Sequence, residues 1–488
     1  MKSTLTHRFC STLQTFFQER PYLAAALLGL LSIAIHLPLA LFDALGEQDA
    51  ARLCNLAVTG VFKNNLELPG QWAHAYPLYI HAMYALVKHE LLLPSELPAY
   101  MTGLSVITSG IYSATFFLFF RLTTDKPAVA AAGALILQLV PAHFISSLYG
   151  FPTIAALGVF MTAAWLSAWA ALTKMPKWRR VLLIIGAVVL FQAAVLLKVD
   201  VVTGAGLFCL PWCRITSSIK RRAVFVAVVF VISVAAFILL NQYGGAIAQQ
   251  EEPHASWQSW TRNFYAGLDA LTSRANQRVI SHALGVATPL CALCAAGLLL
   301  YRREQRLTLF WVAAAALPGA LFWALMAGNS ARHNLLLSSL LPIVIALPLA
   351  SVSATLRRYW GGAIVILLLV NYFWYAPSPS TVRPSGRLFE SAVRFKEASR
   401  ALRARTASLA RIDAAKVAAV LHNHRRPYFY FEIISDPSLE ITYLDPDRLV
   451  VRTDDQKEKE YRFMMKPTRR TLRKLKKKGF VISYPNKK

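Results

Sequence analysis

The sequence predicts an all-α polytopic membrane protein of about eleven spans, followed by a small soluble α/β domain. The chain has 488 residues, of which 56% are hydrophobic and 16% are charged, and its mean hydropathy is +0.43. Apolar runs recur along the chain, and about 20 apolar residues in a helix cross roughly 30 Å of hydrocarbon. This composition is too apolar for a single water-soluble fold.

The spans are predicted at the apolar runs of the sequence, which are 22–42, 101–120, 128–145, 152–173, 181–197, 201–213, 223–240, 283–301, 308–327, 335–353 and 361–376. The run 201–213 is short, which is consistent with half of a broken helix. The segment 76–93 contains Lys88, His89 and Glu90. Because charge is costly inside the apolar layer, we expect a partly inserted or interfacial helix there.

The basic residues predict the orientation of these spans. Short loops rich in Lys and Arg favour the cytoplasmic side, and they lie at 121–126, 174–180, 214–222, 301–306 and 356–359. The opposite loops carry much less basic charge and lie at 43–100, 146–151, 241–282 and 328–334. The alternation places the N-terminus inside and the C-terminal domain outside.

Two domains are predicted, a membrane domain at 1–376 and a soluble domain at 377–488. The second contains no spanning run but carries about half of the net charge of +27. Its segments KVAAVLH, FYFEII, EITYL and RLVVRT are typical of strands separated by turns, and a basic helix stopped by Gly479 precedes a last strand. The basic charge favours a cytoplasmic address, but long domains translocate largely regardless of charge.

Metal, nucleotide and nucleic-acid chemistry are not favoured by the sequence. Two cysteine pairs lie inside apolar runs, where Cys is usually a small packing residue. A divalent ion is a weaker alternative at Glu251, Glu252 and His254. No Gly-rich phosphate loop is present, so nucleotide hydrolysis is not supported. We therefore predict no cofactor. A C-terminal domain on the outer side of the membrane would not meet nucleic acid, so nucleic acid is not expected as a partner of its basic residues.

The first outer loop contains the main catalytic candidates. Glu47 and Asp49 stand where the chain leaves the first span, and a short amphipathic helix follows, with Leu53 and Leu56 on one face. A carboxylate at a membrane surface is suited to take a proton from a hydroxyl. The alternative is that Asp49 is a helix N-cap and that Glu47 is a solvated loop residue.

Three cations are candidates for contact with a phosphate. Lys198 lies at the outer end of an apolar run, Arg332 lies between two late spans, and Arg52 is one helical turn from Asp49. Charged residues in the apolar layer are usually functional, and Arg suits bidentate phosphate contacts. Alternatively, Lys198 pairs with Asp200 or extends to the interface, and Arg332 anchors headgroups.

Aromatic residues cluster in the outer loop 241–282. Trp257 is one of several rings there, and such rings usually lie at the membrane interface. The sharper alternative is an aromatic stack that contacts a sugar or lipid.

These features together resemble the GT-C glycosyltransferases, which include protein O-mannosyltransferases and aminoarabinose transferases. Asp49 matches the family's loop Asp, with Ala50 where a second acidic residue is usual and Glu47 as its replacement. The segment from Tyr76 to Tyr79 resembles the family's Pro-Pro-Leu-Tyr motif. Arg332 resembles a family Arg that precedes a late span, with His333 in the place of its Tyr.

The resemblance implies a sugar donor linked to polyprenyl phosphate and a reaction at the outer face of the membrane. Asp49 and Glu47 would then be catalytic, and Arg332, Lys198 and Arg52 would bind the donor phosphate. Acceptor or lipid contacts would come from His74, Tyr76, Tyr79, Trp257 and His333.

The sequence therefore predicts a glycosyltransferase of the bacterial inner membrane, with its active site on the periplasmic face. Its partners would be the lipid-linked donor, a glycan, lipid or protein acceptor, and the membrane lipids. Two alternatives stay open. One is a lipid-linked-oligosaccharide polymerase or ligase, and the other is a transporter without chemistry, although no internal repeat of the kind common in transporters is evident.

Overall fold

A computed structural model describes residues 15–40, 53, 77–89, 91–92, 97–148, 150, 152–215, 227–228, 231, 287–301, 335–373, 440–445, 448–452, 458–462 and 482–483. The helices are α1 (Pro21–Ala40), α2 (Pro77–Lys88), α3 (Leu97–Thr124), α4 (Pro127–Gln138), α5 (Pro141–Ser146), α6 (Pro152–Leu172), α7 (Lys177–Leu197), a 3-10 helix (Val199–Gly204), α8 (Ala205–Ile215), α9 (Ala287–Tyr301), α10 (Leu335–Ala346), α11 (Pro348–Ser351) and α12 (Ala354–Phe373).

Three of the described helices, α3, α6 and α7, are long and apolar enough to cross a membrane. They coincide with the predicted spans 101–120, 152–173 and 181–197. The molecule is therefore a helical integral membrane protein. The prediction of eleven spans stays a prediction, because the runs 223–240 and 308–327 lie largely or wholly outside the described residues.

Helix α3 is packed between α1 and α6, and glycines allow a very close approach on both sides. A Cβ atom added to Gly29 of α1 would lie 2.8 Å from the carbonyl oxygen of Gly110 of α3. On the other side, a Cβ atom on Gly158 of α6 would lie 2.9 Å from the carbonyl oxygen of Thr108. Membrane helices commonly associate through small residues, because van der Waals packing replaces the hydrophobic effect in lipid.

Helices α1 and α3 run antiparallel. Near one end of the pair, Arg121 Nη2 donates a hydrogen bond of 3.1 Å to the carbonyl oxygen of Gln18, and further along the Ser32 and Ser109 hydroxyls lie 3.1 Å apart. The end of the bundle that holds the first residue of α3 and the last residues of α1 is called the site end below. The end that holds Arg121 is called the opposite end.

The buried face of α3 changes character along its length. Towards the opposite end it carries four buried rings, Phe116, Phe117, Phe119 and Phe120. Towards the site end, buried polar residues are interspersed with apolar ones, and they include Thr102, Ser105, Thr108, Ser109 and Ser113. The aromatic half is the more apolar one, and its buried Thr115 and Thr123 donate to carbonyl oxygens of α3 itself. The concentration of buried polar residues towards the site end needs a functional or structural reason.

The predicted span 128–145 is divided into two helices rather than one. Helix α4 ends at Gln138 and α5 begins at Pro141. Proline has no amide hydrogen and its ring clashes with the carbonyl four residues earlier, and here Val140 N bonds the carbonyl oxygen of Leu137 instead, at 3.2 Å. Asn371 of α12 donates to the carbonyl oxygen of Leu139 in the break, at 3.4 Å, and to Thr288 Oγ1 of α9 at 2.8 Å.

Two other predicted irregularities have counterparts in the fold. The short run 201–213 becomes a 3-10 helix followed by α8, as expected for a broken helix. The segment 76–93 contains the 12-residue helix α2, which is about 18 Å long and too short to cross the apolar layer. A further irregularity was not predicted from the sequence, because the late run 335–353 is divided at Pro348 into α10 and α11.

The described part of the C-terminal region forms a four-stranded sheet in the order β3-β2-β1-β4. The strands are β1 (Glu440–Asp445), β2 (Arg448–Arg452), β3 (Glu458–Arg462) and β4 (Ile482–Ser483). β1 pairs antiparallel with β2 and parallel with β4, and β2 pairs antiparallel with β3. Three of these strands lie where the sequence predicts strands, and β3 was not predicted. The segments 416–422 and 429–434 lie outside the described residues.

Candidate functional site

Most residues chosen from the sequence lie outside the part of the chain that the structure describes. They are Glu47, Asp49, Arg52, His74, Tyr76, Trp257, Arg332 and His333, together with Glu251, Glu252 and His254. Their roles stay predictions. Lys198 and Tyr79 are described, and both are buried near the site end of the bundle.

Lys198 lies where helix α7 stops. Its backbone is extended, with φ −159° and ψ 114°, and its amide donates to the carbonyl oxygen of Ala194 at 3.0 Å. The carbonyl of Lys198 then accepts a hydrogen bond of 3.1 Å from Val201, which starts the 3-10 helix. The residue is only 2% exposed. Within the described residues it is the one buried side chain of the Lys, Arg, Asp and Glu types.

Tyr79 joins helix α2 to the turn before α6. The side chain is 1% exposed, and its hydroxyl donates a hydrogen bond of 3.1 Å to the carbonyl oxygen of Gly150. Gly150 has a φ of 65°, in the left-handed region that glycine adopts readily. Helix α2 also packs against α7, the helix that ends at Lys198. The Tyr79 element, the 147–150 turn and the end of α7 are thus part of one packed region.

Two buried histidines lie in the same half of the bundle, and the sequence analysis did not select them. His36 of α1 and His143 of α5 have ring centroids 6.3 Å apart, and both are fully buried. Tyr112 stacks on His143 with centroids 5.2 Å apart. The signal in the sequence was a histidine inside an apolar run, which is as unusual there as a lysine.

The hydrogen bonds of His36 define its proton. Its Nδ1 lies 2.7 Å from the carbonyl oxygen of Ser32, so Nδ1 donates and Nε2 of a neutral ring is left as an acceptor. Within the described residues, His36 Nε2 and both ring nitrogens of His143 have no hydrogen-bond partner. The same holds for Thr102 Oγ1 and Gln138 Oε1, while Gln138 Nε2 donates to Ser113 Oγ.

The buried polar residues His36, Thr102, Ser113, Gln138 and His143 are called the polar layer below, and their side chains offer a specific set of hydrogen-bonding groups. The layer offers hydroxyl, amide and imidazole groups that both donate and accept hydrogen bonds, and Lys198 lies in the same half of the bundle. Buried polar atoms without partners cost about 1–3 kcal/mol each, so the layer is suited to contact a polar ligand group. In the described residues no group of three or more His, Cys, Asp or Glu side chains could hold a metal ion.

Comparison with solved structures shows a likeness to a membrane protein, whereas the sequence comparisons found no match. No protein-family model matches the sequence, and no curated protein matches it significantly. ArnT from Cupriavidus metallidurans, solved in the apo state, has a TM-score of 0.48 at 14% sequence identity. The match covers 81% of this chain and 71% of that chain. A likeness at this level does not assign the chain to a family.

Proposed function

We propose that the protein is a membrane glycosyltransferase that moves a sugar from a polyprenyl-phosphate carrier to an acceptor at the outer face of the membrane. The observation that carries this proposal is the burial of Lys198 where α7 ends. Removing an ammonium group from water costs several kcal/mol even after the protein relaxes. A cation kept in an apolar bundle is therefore functional by default. We infer that Lys198, in addition to the contacts it already makes within the protein, contacts an anionic group of a lipid-soluble substrate.

A polyprenyl-phosphate sugar combines the features that this region suits. Its phosphodiester is an anion that must rest near the edge of the apolar layer, and its tail needs lipid. The sugar offers hydroxyl groups, and the polar face of α3 with His36 and His143 supplies partners for hydroxyls. Tyr79 lies on the helix whose sequence resembles the GT-C motif.

The reaction assigns a role to the predicted carboxylate. Asp49 takes the proton of the acceptor hydroxyl, the acceptor oxygen attacks the anomeric carbon, and the bond from that carbon to the phosphate oxygen breaks. Polyprenyl phosphate leaves with the electron pair, and Lys198, with Arg332 and Arg52, stabilises its negative charge. Glu47 is the second candidate for the base.

Binding of a short polyprenyl phosphate tests the phosphate role of Lys198. We expect Lys198→Gln to bind farnesyl phosphate about 10- to 100-fold more weakly than the unchanged protein, since a hydrogen bond to a charged group contributes about 1.5–3 kcal/mol. Arg20→Gln is the control, because Arg20 is an exposed cation before α1, at the opposite end of the bundle and outside the proposed site. Farnesol, which lacks the phosphate, should bind both variants and the unchanged protein alike. Equal binding of farnesyl phosphate by Lys198→Gln and the unchanged protein would remove Lys198 from the site.

Product analysis separates the proposal from the alternatives. In proteoliposomes with a lipid extract as donor source, a glycosyltransferase of this kind releases polyprenyl monophosphate. A polymerase or ligase that uses diphosphate-linked donors releases polyprenyl diphosphate. A transporter changes the side on which the donor is found and releases neither.

A further inference from the structure

We propose that the turn between α6 and α7 binds the headgroup of an anionic phospholipid from the adjacent leaflet. The surface, called the turn patch, consists of Lys174, Lys177, Trp178, Arg179 and Arg180. It lies at the opposite end of α7 from Lys198, so it is separate from the proposed transferase site.

The charge of the turn patch is not balanced locally. Four cations stand within the seven residues 174–180, with no acidic residue among them. Three of the four lie in the first turn of α7, which contains no acidic residue and whose N-cap, Pro176, offers no side-chain hydrogen bond. Cations at the positive end of a helix dipole repel it, so an anion bound here lowers the electrostatic energy.

Arg180 and Trp178 indicate where that anion rests. Arg180 is half-buried, and within the described residues its buried Nε atom has no hydrogen-bond partner. A guanidinium suits phosphate because it donates several hydrogen bonds in a fixed plane. The Arg179 guanidinium lies 5.1 Å from the centre of the Trp178 ring, and that ring is 60% exposed. Exposed Trp beside basic residues is typical of the headgroup level of a membrane.

An apolar stripe continues from the patch along α7. Trp178, Leu182, Ile185 and Val189 are all exposed, and their spacing of four, three and four residues places them on one helix face. The stripe runs over twelve residues, from 178 to 189, and is about 16 Å long, roughly half of a 30 Å hydrocarbon layer. Patch and stripe together match a headgroup and an acyl chain of one leaflet. A free phosphate ion would use the patch alone.

The test compares two arginine pairs in the full-length protein purified in detergent. Arg179→Gln/Arg180→Gln removes two cations from the turn patch, and Arg357→Gln/Arg358→Gln removes an adjacent pair from the first turns of α12. The second pair is a matched control because the Arg357 side chain already donates to the carbonyl oxygen of Val352 at 3.4 Å. In addition, Ser353 Oγ accepts from the amide of Leu356 near the start of that helix.

Native mass spectrometry and thermal unfolding are measured with phosphatidylglycerol, phosphatidylcholine or inorganic phosphate. We expect phosphatidylglycerol to bind and raise Tm in the unchanged protein and the α12 variant. The turn-patch variant should need at least about tenfold more of this lipid for the same effect. Phosphatidylcholine and inorganic phosphate should give no comparable stabilisation.

Three outcomes would overturn the proposal. They are an equal response to phosphatidylcholine, an equal loss in both arginine variants, and full stabilisation by inorganic phosphate, which would indicate a free anion. If Arg179→Gln/Arg180→Gln does not fold, Lys177→Gln takes its place, because Lys177 is exposed. An unchanged response of Lys177→Gln to phosphatidylglycerol would then contradict a headgroup site at this turn.

Discussion

Replacing Gly110 by alanine should destabilise the bundle, because the α1–α3 contact has no room for a methyl group. The added Cβ atom would lie 2.9 Å from the carbonyl oxygen of Gly29 and 2.7 Å from a side-chain carbon of Ile33. Ordinary van der Waals contact starts at 3.4 Å. The Ile33 side chain can rotate, but the Gly29 backbone can only move with its helix, so α1 and α3 must separate by about 0.5 Å.

The size of the effect follows from a comparison inside the same helix. Overpacking a well-packed contact typically costs about 1–3 kcal/mol, and a Gly→Ala change in a helix interior gains about 0.8–1 kcal/mol in propensity. Gly103→Ala on α3 receives the same gain, and a Cβ atom there has nothing within 4 Å. The two variants should therefore differ by about 1–3 kcal/mol in the free energy of unfolding, with Gly110→Ala the less stable.

Thermal unfolding of the two variants in one detergent measures this difference. Because Gly29 and Gly110 contact each other, Gly29→Ala should also destabilise. The double variant should lose less than the sum of the single losses, since the helices separate only once. Equal stability of Gly110→Ala and Gly103→Ala would refute the claim that backbone contact at this crossing holds α1 against α3.

Three further predictions concern the site and the topology. Asp49→Asn should reduce release of polyprenyl phosphate about 10²- to 10⁴-fold while donor binding is kept, and undiminished release would exclude Asp49 as the base. Tyr79→Phe should lower the free energy of unfolding by about 0.5–1.5 kcal/mol through loss of its hydrogen bond. Tyr100→Phe on α3, an exposed tyrosine, should stay within about 0.5 kcal/mol, and equal losses would argue against the Tyr79 bond. Single cysteines at 65 and 455 should both react with a membrane-impermeant reagent in intact spheroplasts. Labelling at 65 with protection at 455 would contradict the eleven-span topology.

The long apolar helices could be predicted because their signal is local. A span of lipid-crossing length needs only a run of apolar residues, and α3, α6 and α7 lie where such runs were found. The break between α4 and α5 was missed by the prediction of one span over 128–145, because an average hydropathy is hardly changed by a single proline. The rule that a proline interrupts a helix, applied to Pro141, would have placed the break correctly.

The candidate site was predictable only in part. Lys198 was selected because a charge in an apolar run is costly, and its burial is consistent with that reasoning. His36 and His143 obey the same rule, but nothing in the sequence indicates that the two histidines lie close together. Their approach to 6.3 Å depends on how α1 packs against the α4–α5 break. Such a contact between distant parts of the chain leaves no local pattern in the sequence.

The bond from Asn371 to the α4–α5 break has a consequence for synthesis. The donor is made 232 residues after Leu139. At translation rates of about 5–20 residues per second, this corresponds to roughly 12–46 s. During that time the broken segment must remain in the membrane without its hydrogen bond from the Asn371 side chain. The same Asn371 amide also donates to Thr288 of α9 in the finished fold. The bilayer is a poor solvent for irregular backbone, so a neighbouring helix or an insertion factor has to shelter the break until α12 arrives.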